Sequence, residues 1–181
     1  KRIAGNWKMN TTVDEAVKLA TEIKARLTGF DDAVLLICPP NVNLYPVYKI
    51  IEKTSIKLGA QNVYHEKSGA YTGETSGEML KSVGCEYVIV GHSERRAMFG
   101  DTDEVVHKKL QMIIEEDLKP ILCIGEQLED REAEKTEDVT ENQLNAALKD
   151  MPTGWIEKIV IAYEPVWAIG TGKTATPEQA Q

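Results

Sequence analysis

The residue in this chain best placed for chemistry is a glutamate at the end of a buried strand. Ile159 to Tyr163 is a short, apolar, β-branched run of the kind that forms a strand covered on both faces, and Glu164 follows it directly. Pro165 cannot extend a ladder. The chain then enters a loop with a bulky apolar tip (Val166, Trp167, Ile169) and two glycines, Gly170 and Gly172. Parallel α/β folds keep their ligand sites at the C-terminal ends of strands, so an acid there followed by an apolar flap suits a catalytic base beneath a closing lid. An acid before a proline is also a common solvated turn, and this stretch alone leaves both readings open. Two phosphate motifs are dismissed. Gly172-Lys173-Thr174 looks like the tail of a P-loop, but Trp167 stands where that motif needs glycine. Gly170, Gly172 and Ala175 match a dinucleotide fingerprint, yet six residues separate Tyr163 from Gly170 in place of a tight turn.

Two other strand ends carry candidates. Asn6-Trp7-Lys8-Met9-Asn10 follows the first apolar segment, and Lys8 is either solvated or the local positive charge with which an acidic protein holds an anion. The fourth segment ends in Gly91-His92-Ser93-Glu94-Arg95-Arg96. A lone histidine is more often structural. This one lies between a strand end and a helix start, with Ser93 as the expected cap, where backbone N–H groups and the helix dipole disfavour an imidazolium. A neutral ring there could donate a hydrogen bond to a carbonyl oxygen and act as an electrophile. Cys123-Ile124-Gly125-Glu126, at the end of the fifth segment, reads as structure without specific chemistry.

These residues need a frame. Six strands are expected, at Arg2–Asn6, Val34–Cys38, Ile56–Gln61, Tyr87–Val90, Ile121–Ile124 and Ile159–Tyr163, with helical patterns between them. The helices expected are Asp14–Leu27 (capped by Thr11 or Thr12), Leu44–Ile51, Ser76–Val83 with Gly84 at its C-terminus, Asp103–Glu116 and Thr136–Leu148. Pro177 is expected to open a further helix. Strand and helix alternate without hairpin signals, which means parallel βα units in one α/β domain spanning residues 1–181. An open doubly wound sheet and a (β/α)8 barrel both fit; a complete barrel takes about 250 residues, so six units would be three quarters of one.

Composition sets outer bounds. The 181 residues are 42% hydrophobic and 28% charged, as in ordinary globular domains, and no apolar run approaches a membrane span. No signal-peptide pattern opens the chain, since Lys1-Arg2-Ile3 leads straight into a strand. A net charge of −8 argues against nucleic acid or anionic membrane as partners. Cys38, Cys85 and Cys123 have no metal-ligand spacing; Cys38 and Cys123 lie within apolar strand-like runs, so buried free thiols in a reducing, cytoplasmic compartment are expected. The sequon Asn10-Thr11-Thr12 has no accompanying sign of secretion.

Taken together, five blocks closely resemble the triosephosphate isomerase family: Gly5-Asn6-Trp7-Lys8-Met9-Asn10, Gly59-Ala60-Gln61-Asn62, Gly69-Ala70-Tyr71-Thr72-Gly73-Glu74, Gly91-His92-Ser93-Glu94-Arg95-Arg96, and Ala162 through Lys173. The resemblance covers the whole chain and implies a TIM (β/α)8 barrel that interconverts dihydroxyacetone phosphate and glyceraldehyde 3-phosphate, in glycolysis and gluconeogenesis, without cofactor or metal. It implies Glu164 as the base, His92 as the neutral electrophile and Lys8 as the cation for the anionic substrate. It also implies Asn6 as a substrate contact that positions Lys8, and Glu94 and Cys123 as supports. Residues 165–174 would be a phosphate-gripping lid, with Ile169 over Glu164 and Gly170 donating a backbone N–H. Thr72 resembles the residue that reaches into the partner subunit of the family's dimer, so a homo-oligomer is expected.

One departure carries its own expectations. The family barrel continues through two more βα units, whose backbone N–H groups cradle the phosphate. The 181 residues are therefore expected as an incomplete barrel of six units, impaired in activity when alone, whether the sequence is trimmed or the barrel naturally short. The alternative is a catalytically impaired structural protein that keeps the site residues and self-associates through its open edge. Another phosphosugar-binding barrel enzyme is a third, weaker reading.

Overall fold

Arg2–Asn6 (β1) and Val34–Cys38 (β2) run parallel in a register that sets Asn6 opposite Cys38, with Val13–Arg26 (α1) as the crossover between them. The computed structural model describes residues 1–27, 29–169 and 174–176. In chain order there follow Leu44–Ile51 (α2), Lys57–Ala60 (β3), Gly77–Ser82 (α3), Tyr87–Val90 (β4), Ser93–Met98 (α4), Asp103–Glu115 (α5), Lys119–Ile124 (β5), Leu128–Glu132 (α6), Thr136–Ala147 (α7), Thr153–Ile156 (α8) and Val160–Tyr163 (β6). Short 3-10 turns cover Asn41–Asn43 and Val166–Ala168. The described residues group into two compact units, one of residues 1–89 and 112–119, the other of residues 90–111 and 120–181.

In the first unit the strands lie in the order β1-β2-β3-β4, all parallel. Leu35, Leu36 and Ile37 of β2 are buried, as are Leu58 of β3, Val88 of β4, Ala16 and Ala20 of α1, and Val47 and Ile51 of α2. Small residues on the buried side of α1 let it pack closely on α2. Thr12 caps α1, with the Glu15 carboxylate accepting from the Thr12 N–H at 2.8 Å. Gly84 follows α3 at φ 84°, the left-handed C-terminal position expected of it. Cys38 and Cys85 are buried free thiols, and burial pushes both up to about 12, which leaves them chemically quiet at neutral pH.

In the second unit β5 pairs with β6 in parallel, from Ile121 opposite Val160 to Ile124 opposite Tyr163. These are six βα units of an incomplete TIM barrel, as the alternation predicts. The expected strand edges shift by a residue or two: β3 is shorter than Ile56–Gln61, and β5 begins earlier, at Lys119. Helices α4, α6 and α8 are too short to leave an apolar period; the sequence gives only a helix start near Ser93 for α4 and no sign of α6 or α8. The expected helix at Pro177 lies outside the described residues. Among the described residues β1 pairs with β2 alone and β6 with β5 alone, and both strands keep apolar side chains in the open: Ile3 is 57% exposed and Ile161 46%.

A buried ion cluster anchors the segment after α4. Asp101, 4% exposed, accepts from Lys109 Nζ at 2.8 and 2.9 Å and from Arg95 Nε at 3.0 Å. Burial works against its charge, but Lys109 and Arg95 outweigh burial and hold the carboxyl below the usual aspartate range. Asp101→Asn leaves the buried Lys109 ammonium without its carboxylate, a change expected to cost about 3–5 kcal/mol in urea unfolding. The sign with pH follows. A depressed carboxyl stabilises fully above the unfolded value near pH 4, and that part of the stability is lost as pH falls further. A variant whose stability in urea matches the parent at pH 7 would contradict this account.

Candidate active site

The second unit gathers its polar residues where β4, β5 and β6 end. Gly91 follows β4 at φ 71°, a conformation that suits glycine; a Cβ there would also press on the Cys123 carbonyl at 3.1 Å. This turn starts α4, and the expected cap is corrected by one residue. His92, not Ser93, is the N-cap, and its Nδ1 accepts from the Glu94 N–H at 3.2 Å. Accepting there requires a lone pair on Nδ1, so the ring hydrogen sits on Nε2. Nε2 lies 2.8 Å from Glu164 Oε1, the geometry of a hydrogen bond donated to the carboxylate.

Glu164 is held from several sides. Its Oε2 accepts from the Ser93 N–H at 2.9 Å, and its own N–H donates to the Ile124 carbonyl at 2.7 Å. The Cys123 thiol donates to the same carboxylate from β5. Burial raises the Glu164 pKa, but the bonds from His92, the Ser93 N–H and Cys123 together outweigh it and keep the carboxyl below the ordinary glutamate range. Glu164 is therefore an ionised, largely buried carboxylate in contact with a histidine N–H. Glu94 Oε2 stands 3.6 Å from His92 Nδ1, beyond hydrogen-bond distance and close enough to bias the ring electrostatically.

Gly125 sets how closely β5 and the strand end after β6 approach, because a Cβ on it would run into the Glu164 carbonyl. Gln143 of α7 clamps the same peptide: its Oε1 accepts from the Gly125 N–H at 2.9 Å, and its Nε2 donates to the Gly125 carbonyl at 3.1 Å. Gln143 did not stand out in the sequence, and Gly125 read there only as part of a structural strand end.

Glu126 is the larger surprise. Read from sequence as structure without chemistry, it is fully buried and ionically paired. Its carboxylate accepts from Arg131 Nη1 at 2.9 Å, the Tyr163 hydroxyl at 2.9 Å and Trp167 Nε1 at 3.0 Å. The Arg131 guanidinium also lies 4.6 Å from the centre of the Trp167 ring. Burial, then Glu126, pushes the Tyr163 hydroxyl up, keeping it a proton donor. This cluster fixes the start of the loop after β6. The one legible signal was indirect: Tyr163 and Trp167 are aromatic residues with polar tips, which need partners when buried.

The first unit carries the other sequence candidates. Asn6 ends β1, and its Oδ1 accepts from the Lys8 N–H at 2.9 Å. Lys8 takes φ 54°, the left-handed region, at a cost of about 1–2 kcal/mol for a residue with a Cβ. Gln61 Nε2 donates to the Lys8 carbonyl at 2.9 Å and to the Cys38 carbonyl at 2.8 Å. Thr72 is exposed in the loop before α3. A cavity of about 310 Å³ opens beside the Lys57–Glu86 ion pair at the N-terminal ends of β3 and β4, the end away from Asn6 and Gln61. Ile169 closes the 3-10 turn after Glu164 and is 38% exposed. Gly170, the expected backbone donor, and residues 171–173 of the expected lid lie outside the described residues. Among the described residues no cluster of His, Cys, Asp or Glu could hold a metal, and no helix is long and apolar enough to cross a membrane.

Comparison with known proteins places the chain in a family. The triosephosphate isomerase family profile matches residues 1–181. The chain is 53% identical over 179 residues to the triosephosphate isomerase of Alkaliphilus oremlandii, covering 99% of this chain and 72% of that protein. It is 51% identical over 179 residues to that of Endomicrobium trichonymphae, with the same coverage. Against the Clostridium botulinum Type A enzyme it is 53% identical over 178 residues, covering 98% of this chain and 71% of the relative.

Proposed function

Because the chain belongs to the triosephosphate isomerase family, we propose that it interconverts dihydroxyacetone phosphate and glyceraldehyde 3-phosphate, an aldose–ketose isomerisation of glycolysis and gluconeogenesis that needs no cofactor. The observation that carries the reading is the ionised Glu164 carboxylate bonded to His92 Nε2 and the Ser93 N–H. In the proposed reaction Glu164 removes a proton from one substrate carbon and returns it to the neighbouring carbon. His92 donates its Nε2 hydrogen toward the carbonyl oxygen as that oxygen gains charge. Both tasks require Glu164 to leave its present partners. Leaving them removes the bonds that lower its pKa and keeps the burial that raises it, so the carboxylate becomes a stronger base on release.

The remaining roles follow the family. Lys8 supplies positive charge for the substrate anion, Asn6 contacts substrate and orients Lys8, and Glu94 and Cys123 support His92 and Glu164. Ile169 and Gly170 belong to a lid that closes on the phosphate. A homo-oligomer through the Thr72 loop and a cytoplasmic setting complete the proposal; the buried free thiols suit a reducing compartment. A coupled assay in both directions tests the activity, and absence of turnover in the protein as its host makes it would count against it.

Lys8→Met separates charge from structure. The variant is expected to lose most at low salt, with the gap in kcat/KM from the parent narrowing as ionic strength rises past about 0.1 M, where the Debye length is about 10 Å. A loss that ignores salt would identify Lys8 as a structural residue.

A further inference from the structure

Both polar groups of the strained Lys8 backbone are held by side chains, and we propose that Gln61 is a positioning residue that aims Lys8 at the substrate anion. The proposal rests on the role of Lys8 given above. Gln61 lies one residue beyond β3, and its amide nitrogen has two hydrogens. Both are used: one reaches the Lys8 carbonyl at 2.9 Å, the other the Cys38 carbonyl at 2.8 Å. Cys38 is the last residue of β2, faces Asn6 in the register and also accepts from the Trp7 N–H at 3.1 Å. One amide thus ties the exits of β1, β2 and β3 together. On the other side of Lys8, Asn6 Oδ1 holds the N–H at 2.9 Å.

With the peptide planes before and after it fixed, Lys8 stays at φ 54° and its Cα–Cβ bond keeps one direction. Left-handed backbone at a non-glycine residue persists only where the surroundings over-determine it. Glutamine is the side chain this task needs. Glutamate at the same point has no hydrogens and would set a carboxylate against two carbonyl oxygens. Methionine has the length and neither donor. Asparagine keeps the amide on an arm one methylene too short to reach both carbonyls.

The test uses Gln61→Met, Gln61→Glu and Gln61→Asn, alone and combined with Lys8→Met, in the protein as its host makes it. Steady-state kinetics give kcat and KM, and the HN–Hα coupling of residue 8 reports its φ by NMR without requiring turnover. Gln61→Met and Gln61→Glu are each expected to move Lys8 out of positive φ and to lower kcat/KM by about 100-fold, the scale of a misplacement of about 1 Å. Gln61→Asn is expected to lose less, and it is the folded comparison if the others unfold. In the Lys8→Met background the Gln61 substitutions are expected to add little, because two residues acting as one unit are not additive. Additive losses, or a positive φ retained with unchanged kinetics, would overturn the positioning role and leave that of Lys8 intact. If Lys8→Met alone costs nothing, the reading of Lys8 fails first, and the single variant shows it.

Discussion

Glu164→Gln is expected to lower turnover by about 10²- to 10⁴-fold, the range over which a positioned general base contributes. The amide is nearly isosteric and keeps one oxygen, which can accept from the Ser93 N–H or from His92 Nε2 but not from both, so one hydrogen bond is lost and the fold should survive the change. What it loses is the ability to accept a proton from carbon. Glu164→Asp asks a different question: it keeps the carboxylate and withdraws it by about 1 Å, a displacement that can cost about 100-fold. The two variants together separate loss of the base from its misplacement. KM should change less than kcat in both, since Glu164 acts on the reacting carbon and not on the phosphate. Turnover near the parent level in Glu164→Gln, with contaminating host enzyme excluded, would remove Glu164 from the reaction.

A polypeptide made deliberately as residues 1–181 is expected to be nearly inactive even with Glu164, His92 and Lys8 in place. Barrels of this family bind phosphate largely through backbone N–H groups after the seventh and eighth strands, and the relatives extend beyond the region matched here. Hydrogen bonds to a charged group contribute roughly 1.5–3 kcal/mol each. Losing two or three removes about 3–9 kcal/mol of transition-state stabilisation, or roughly 10²- to 10⁶-fold in rate at about 1.4 kcal/mol per tenfold. Binding energy from the unreactive phosphate is what the family uses at the reacting centre, so the loss falls on kcat as well as KM. The same polypeptide is expected to self-associate, because β1 and β6 present unpaired edges with Ile3 and Ile161 exposed. Near-normal turnover with a confirmed mass of 181 residues would refute the first expectation. A monodisperse monomer in light scattering at high concentration would refute the second.

Local chemistry made much of this protein readable from its sequence. β1, β2 and β4 are short apolar runs ended by Asn, Cys and Gly, and their bounds follow from composition and turn residues alone. Long helices with a continuous apolar period, such as α1 and α5, were legible for the same reason. So was the placement of Asn6, His92 and Glu164 at strand ends, because a residue's position along an element is a one-dimensional property. Three things belonged to tertiary structure. The first is the contact of Ser93 and His92 with Glu164, across a sequence gap of 71 residues that no periodicity spans. The second is Glu126, whose full burial is tolerable only because Arg131, Tyr163 and Trp167 converge on it from three other segments. The third is the hold on Lys8. Its left-handed backbone is unfavourable in isolation, and a glutamine 53 residues away satisfies the carbonyl. Strand ends can be read one at a time. Which ends meet is decided by sheet register and by the need to satisfy every buried polar group.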